Sequence, residues 1–443
     1  MLSKHGARAG SLILRRHNTA APQIVSTSYS RIGGGVGPQQ QSSHPPPSAQ
    51  HNHFFSSTSS GGSETAPFDR SVKLKQRTRA AESCRQHYHY NNNIHNTNKN
   101  NDDTILPYDY FHREIAHRLV DRLDDINIRE NGEGGFPLAL EIGAGAGFVH
   151  EAIIDNGGVD PDDDDDELSL MDSSSGDTND VFYSGRGGVR KLVQLDSCSA
   201  MLHRNDDHEK AKTTNDSSVS STKTICETYK LVTEEEGPFP FPDGTFDLVL
   251  SSMAFHWIND LPRLLTEIKR VLKPDGCLLF ALPGGNTLPE LRSSLVLAEL
   301  ERTGGVSTHL GPYVDLSNVG SLLTGTGFKL PTIDVDDIQI GYPNMMVLME
   351  HLGRMGEGNA CLNRKERVGL GTFVGAACLY NELYSAEEEE DHHVEEDGDA
   401  GIVASAQIIY GIAWKEHETQ QKPLERGSAT HKMTDIAVTK TKG

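Results

Sequence analysis

One stretch, Glu141-Ile142-Gly143-Ala144-Gly145-Ala146-Gly147, constrains this chain more than any other. A short apolar run from Phe136 to Ile142 leads into it, and an apolar stretch from Phe148 to Ile154 follows. That order reads as strand, glycine turn, helix. Glycines let the backbone turn sharply and approach a ligand with no side chain in the way. The helix behind them would aim its free amides at that ligand. The same pattern also occurs as an ordinary tight turn, so its meaning depends on what surrounds it.

The surroundings alternate. Lys191 to Leu195 (ending at Asp196), Tyr229 to Val232, Phe246 to Ser252 and Cys277 to Leu282 read as strands. Tyr108 to Asp124 reads as an amphipathic helix, with Phe111, Ile115, Leu119 and Leu123 at helical spacing. Leu261 to Leu272 is another helix, broken by Pro274-Asp275-Gly276. Helices are expected near Thr287–Thr303, Val314–Leu323, Met345–Met355 and Arg364–Tyr384, and strands near Ile333–Ile340 and Ala406–Trp414. Strands alternating with helices predict an α/β fold, a mostly parallel seven-stranded sheet with helices on both faces.

The glycine spacing bears on the ligand. A dinucleotide site prefers G-x-G-x-x-G, whose third gap seats a pyrophosphate. Here the pattern is E-x-G-x-G-x-G. The Glu141 carboxylate would repel a pyrophosphate and suit the ammonium of an amino acid, which favours S-adenosylmethionine. The predicted cofactor residues are Glu141, Ile142, Gly143, Ala144, Gly145 and Gly147 of the turn, with Ser251 at the end of the fourth strand. Asp196 would accept from both ribose hydroxyls. Glu235 would accept from the adenine amino group, with Glu234 or Glu236 as replacements. Asp196 as a capping or exposed acid is the lesser reading, while Glu235 could equally be a plain loop charge.

Charge separates the working chain from its additions. Of 443 residues, 63 are acidic and 41 basic, for a net charge of -22. Residues 155–180 hold eleven acids and 387–400 hold nine, neither with a base, so these two stretches carry nearly all of the excess. They read as solvated inserts, near 155–188 and 387–400. A metal-binding acidic loop needs a fixed ligand geometry that DDDDDE does not suggest. The Asn- and His-rich tract near 87–103 reads as a third insert. Residues 1–63 hold Lys4, Arg8, Arg15, Arg16 and Arg31 and no acid, the pattern of a mitochondrial transit peptide. Hence 1–62 is expected to be transit peptide and linker, 63–430 the folded domain, and 431–443 a disordered tail. The acidic balance argues against nucleic-acid binding. No apolar run approaches the ~18 residues of a membrane span. Six scattered cysteines without a CxxC pair give neither a disulfide framework nor a zinc motif.

EIGAGAG, QLD at 194–196, FPFPDGTFDLVLSS at 239–252 and LKPDG at 272–276 together resemble class I S-adenosylmethionine-dependent methyltransferases, with their Rossmann-like fold. A sharper resemblance is to the mitochondrial complex I assembly factors of this fold, the arginine-hydroxylase family. Five segments carry it: FDRSVKLKQRTRAA (68–81), FHWINDLPR (255–263), GGNTLPELRSSL (284–295), MEHLGRMGEGNA (349–360) and WKEHETQQKPLERGSAT (414–430). The resemblance implies S-adenosylmethionine as cofactor and hydroxylation of an arginine on a core subunit of complex I (NADH dehydrogenase). It places the protein in the mitochondrial matrix or on the matrix face of the inner membrane, with at most peripheral membrane association. That family often has Asp where Glu141 stands, which keeps the carboxylate.

The residues themselves leave the chemistry open. Hydroxylation needs an oxidant, usually with a metal or flavin, and a non-haem iron site would want two histidines and a carboxylate. His112 and Glu114 have HxE spacing but read as structural, on an exposed helix face, and no metal ligands are predicted. His256 is the candidate catalytic residue, as general base or ligand, and could equally be packing. Trp257 reads as a pocket wall. Lys73, Gln76 and Arg77 could close over the cofactor, contact the partner or form an ordinary polar helix. Two alternatives stand beside the hydroxylase. One is a true methyltransferase acting on a protein or a carrier-bound carboxylate. The other is a non-catalytic assembly chaperone.

Overall fold

The computed structural model describes residues 24–26, 66–94, 108–126, 135–155, 185–206, 226–385 and 401–420. Most of the expected leader, most of the insert at 155–188, the run at 387–400 and the tail at 431–443 lie outside the described residues.

Among the described residues eight strands form one sheet: β1 (Ile24–Ser26), β2 (Leu138–Ile142), β3 (Lys191–Asp196), β4 (Glu227–Val232), β5 (Phe246–Ser252), β6 (Leu272–Pro283), β7 (Lys329–Tyr342) and β8 (Ile402–Trp414). Their order is β1-β7-β8-β6-β5-β2-β3-β4. β2 pairs parallel with β3 and β5, β3 with β4, and β5 with β6, while β8 runs antiparallel between β6 and β7. β2 to β8 are the seven strands read from the sequence. β1 adds to them, because three residues of the expected leader pair antiparallel with β7, Ile24 opposite Ile340.

The helices are α1 (Arg70–Ile94), α2 (Tyr110–Ile126), α3 (Phe148–Ile154), α4 (Ser199–Leu202), α5 (Leu261–Val271), α6 (Pro289–Thr303), α7 (Leu316–Gly325), α8 (Met345–Met355) and α9 (Leu370–Tyr384). Strand residues alternate between two cores, as the two-residue period of a strand requires. Ala139, Leu248, Leu250 and Leu279 pack with Ile115, Leu119 and Leu123 of α2. Leu140, Ile142, Val249 and Leu278 pack on the other face with Leu264, Leu265 and Ile268 of α5. Burying both faces explains why the central strands read as continuous apolar runs.

Three elements differ from the sequence reading. The break expected at Pro274-Asp275-Gly276 is a bulge inside β6: the register with β5 shifts between Phe246 and Leu248, and Asp275 takes a positive φ of 62°. α9 begins at Leu370 because Gly369 is extended. α1 runs through Ile94, so the first residues of the tract near 87–103 are helical in backbone.

The connection order reverses at β2, with β3 and β4 laid to one side and β5 and β6 to the other. In open α/β sheets, ligands bind outside the carboxyl ends of the strands at such a switch point. Glu141, Asp196 and Ser251 all lie at those ends.

Candidate functional site

The glycine turn begins where β2 stops. Gly143 N and Ala144 N both donate to the Leu195 carbonyl, at 2.8 and 3.1 Å, which folds the turn back onto β3. Gly143 has φ 70°, and a Cβ there would lie 2.2 Å from the Ala254 Cβ, so this position requires glycine. Gly147 (φ 89°) opens α3. Ile142 is buried in the core, and its carbonyl accepts from the Ser251 hydroxyl at 3.0 Å. Ser251 therefore ties β5 to β2, while its neighbour Ser252 lines the cavity in front of the turn.

Glu141 shares the α2 face of β2 with Ala139 and is 1% exposed. Its register partner on β3 is Gln194, whose amide donates to it at 2.9 Å. Burial pushes the Glu141 carboxyl up to about 8, with the Gln194 hydrogen bond pulling the other way. A carboxyl group that lines a cavity and is bonded to a neutral amide suits an incoming cation.

The structure brings Asp196 and Glu235 to the same end of the sheet, but α1 engages both. Arg77 donates to the two Asp196 oxygens at 2.9 and 2.6 Å, and the backbone amides of Gly145 and Cys198 add bonds at 2.8 and 2.7 Å. Glu235 accepts from Ser197 N and Oγ, and from Arg70. Of the three neighbouring glutamates, Glu235 is the one that turns inward: its side chain is 3% exposed, against 67% for Glu234 and 26% for Glu236. With these arginines in place the cavity measures about 70 Å³. Pockets that enclose drug-sized ligands run to about 300–1,000 Å³. Both acids are thus already bonded by arginines of α1.

A second cluster converges on Glu357, just after α8. Its carboxylate lies 2.9 Å from Trp257 Nε1, 3.2 Å from His256 Nε2, 3.4 Å from His112 Nε2 and 3.5 Å from Lys73 Nζ. Burial opposes the charge, yet Lys73 and the histidines hold the carboxyl well below the usual range. Burial pushes His256 down against the pull of Glu357, so its ring is neutral at neutral pH. Its Nε2 faces a carboxylate and must carry the proton. Nδ1 is then a bare acceptor, buried and without a hydrogen-bond partner among the described residues. His256 thus positions Glu357 from behind, and Trp257 forms the cavity wall the sequence suggested. Two histidines and a carboxylate meet here, but they bond to one another. Among the described residues no group of three or more His, Cys, Asp or Glu side chains is arranged to hold a metal ion.

His112 does not lie on an exposed face, as the sequence reading had it. It stands one helical turn before Ile115 and Ala116, at the end of the buried stripe of α2, while Glu114 points away to pair with Arg118. That helical period was a signal available in the sequence. Glu357 and Arg70 carried no such local signal.

Among β2 to β8, a mostly parallel arrangement with one reversed strand, β8, beside the outer strand β7, and a glycine turn at the switch point, define a class I methyltransferase fold. A family profile described as "Methyltransferase domain" matches residues 171–280. The chain is 36% identical over 370 residues to the rat protein named arginine-hydroxylase NDUFAF5, mitochondrial, covering 84% of this chain and 83% of that one. The Dictyostelium discoideum protein of the same name is 34% identical over 358 residues, covering 80% and 72%. A malonyl-[acyl-carrier protein] O-methyltransferase of Laribacter hongkongensis is 29% identical over 199 residues, 44% of this chain and 60% of that one. The chain belongs to the NDUFAF5 arginine-hydroxylase family.

Proposed function

We propose that this protein binds S-adenosylmethionine in the crevice at β2 and acts in mitochondria as an arginine hydroxylase on a core subunit of complex I, during assembly of that complex. The observation that carries the reading is the buried Glu141 carboxyl on the glycine turn, in one cavity with Glu357. The relatives named as mitochondrial arginine hydroxylases support the reaction and the compartment. Among the described residues no helix is long and apolar enough to cross a membrane.

The residues present fit the cofactor. Glu141 takes the ammonium of its amino-acid end. Asp196 and Glu235 take donors from the ribose and the adenine once Arg77 and Arg70 turn away. When bound, S-adenosylmethionine supplies a sulfonium, a methyl donor and a fixed positive charge beside the substrate. Trp257, Glu357 and His112 line the same cavity as the turn and hold the substrate side chain there. The oxygen atom comes from an oxidant outside this chain.

A second reading, methyl transfer to a carboxylate, draws on the methyltransferase profile and the malonyl-carrier relative. Mass spectrometry of complex I core subunits from wild-type and knockout mitochondria separates the readings. An arginine peptide lighter by one oxygen (about 16 Da) in the knockout supports hydroxylation, and one lighter by a methyl (about 14 Da) supports methyl transfer. Failed assembly with unchanged subunit masses would instead leave a non-catalytic chaperone.

A further inference from the structure

Three cations on one face of α1 each reach an acid of the site. Arg70, Lys73 and Arg77 stand at i, i+3 and i+7, which aligns them along the helix. Arg70 meets Glu235, Arg77 meets Asp196, and Lys73 meets Glu357. The Lys73 environment is the most specific. Its ammonium lies 3.2 Å from the centroid of the Trp257 ring, donates to the Gly356 carbonyl at 2.7 Å, and sits 3.5 Å from a Glu357 oxygen. An aromatic face, a carbonyl and a carboxylate around one point make a cage for an organic cation. Trp257 and Glu357 line the same cavity as Gly143 and Gly145.

We propose that the cage formed by Trp257, Glu357 and the Gly356 carbonyl is the recognition site for a guanidinium side chain of the substrate protein, and that Lys73 fills it in the empty protein. This rests on the reading of the protein as an arginine hydroxylase. A guanidinium suits the cage better than an ammonium. It is planar and can stack on the Trp257 indole, and its fork of N–H donors can reach the carboxylate and the carbonyl together. Glu357 is held in place for this by the Nε1–H of Trp257 and by the rings of His256 and His112. Lys73 is suited to leave. Burial pushes its pKa down to about 7, against the pull of Glu357, so it gives up its proton readily when a second cation arrives.

The test uses the full chain without added cofactor, so it does not depend on cofactor binding. N-acetyl-arginine methylamide is titrated while Trp257 fluorescence is read, with Trp414, the other tryptophan, replaced by Phe. Lys73→Met should bind this probe at least about tenfold more tightly than the protein that keeps Lys73. The citrulline counterpart, which has the same shape and no charge, should bind neither form. Glu357→Gln added to Lys73→Met should abolish binding. Equal affinity with and without Lys73, or equal binding of the citrulline probe, would overturn the cage. Hydroxylation that survives Glu357→Gln in cells would also overturn it while leaving the proposed reaction intact. Probe binding as expected, with no hydroxylated arginine on any subunit, would keep the cage and sink the reaction.

Discussion

Arg77 holds Asp196 through both of its terminal nitrogens, at 2.9 and 2.6 Å, across 119 residues of chain. Asp196 is fully buried; burial disfavours the Arg77 charge, yet the pairing with Asp196 holds the guanidinium protonated. The carboxylate from which a ribose is expected to hang is therefore already bonded by the protein.

Arg77→Gln should destabilise the protein without ligand by roughly 3–5 kcal/mol, because it strands a buried carboxylate. S-adenosylhomocysteine, whose ribose can restore donors to Asp196, should then raise the melting temperature of the variant more than that of the wild type. Thermal denaturation with and without the ligand checks this. An equal or smaller rise in the variant would show that Arg77 and the ribose do not share Asp196.

Glu141 should make cofactor binding release protons. With a carboxyl pKa near 8 the side chain is mostly protonated at pH 7, and pairing with an ammonium requires it to ionise. Affinity should rise with pH and level off above about 8, with release of about one proton at pH 7. Calorimetry in buffers of different ionisation enthalpy measures that proton. Glu141→Gln should bind more weakly and release none. Proton release that persists in the variant would assign it to another group.

The same shift predicts a stability trend. The unfolded Glu141 titrates near 4.5 and the folded one near 8, so its contribution is full below 4.5 and is lost as pH rises towards 8. Glu141→Gln stays neutral and should gain on the wild type between pH 5 and pH 8, by on the order of 1 kcal/mol per pH unit. Urea midpoints at pH 5 and pH 7 report the difference. A constant offset between the two proteins would contradict the raised pKa.

Gly143→Ala should lose cofactor binding and destabilise the fold, since its Cβ would sit 2.2 Å from the Ala254 Cβ at a backbone φ of 70°. Adding Ala254→Gly removes the collision but leaves left-handed strain of about 1–2 kcal/mol. The double variant should therefore recover stability only in part. Full recovery would mean that the turn relaxes and that φ is not fixed there.

Arg204 and Asp109 form a buried two-bond pair at 3.0 and 2.7 Å beside the cavity. Arg204→Met alone should cost about 3–5 kcal/mol, and the double change Arg204→Met/Asp109→Leu distinctly less. A double-mutant cycle that sums to zero would show that the two side chains act independently.

Local sequence determined the backbone of this protein. The glycine turn, the short continuous apolar runs of β2, β5 and β6 and the helical stripes of α2 and α5 are read within a few residues, because they report steric freedom and burial. Through them the carboxyl ends of the strands, with Glu141, Asp196 and Ser251, were already legible, whereas the choice of Glu235 over Glu234 and Glu236 was not. What those side chains touch was decided only by the tertiary structure. Lys73 meets Gly356 across 283 residues and His256 meets Glu357 across 101. No local period encodes such distances, because they depend on how α1 and the segment after α8 are laid across the mouth of the sheet. That placement gives Asp196 and Glu235 arginine partners. It also turns Glu357, unremarkable in the sequence, into the acid on which His112, His256, Trp257 and Lys73 converge.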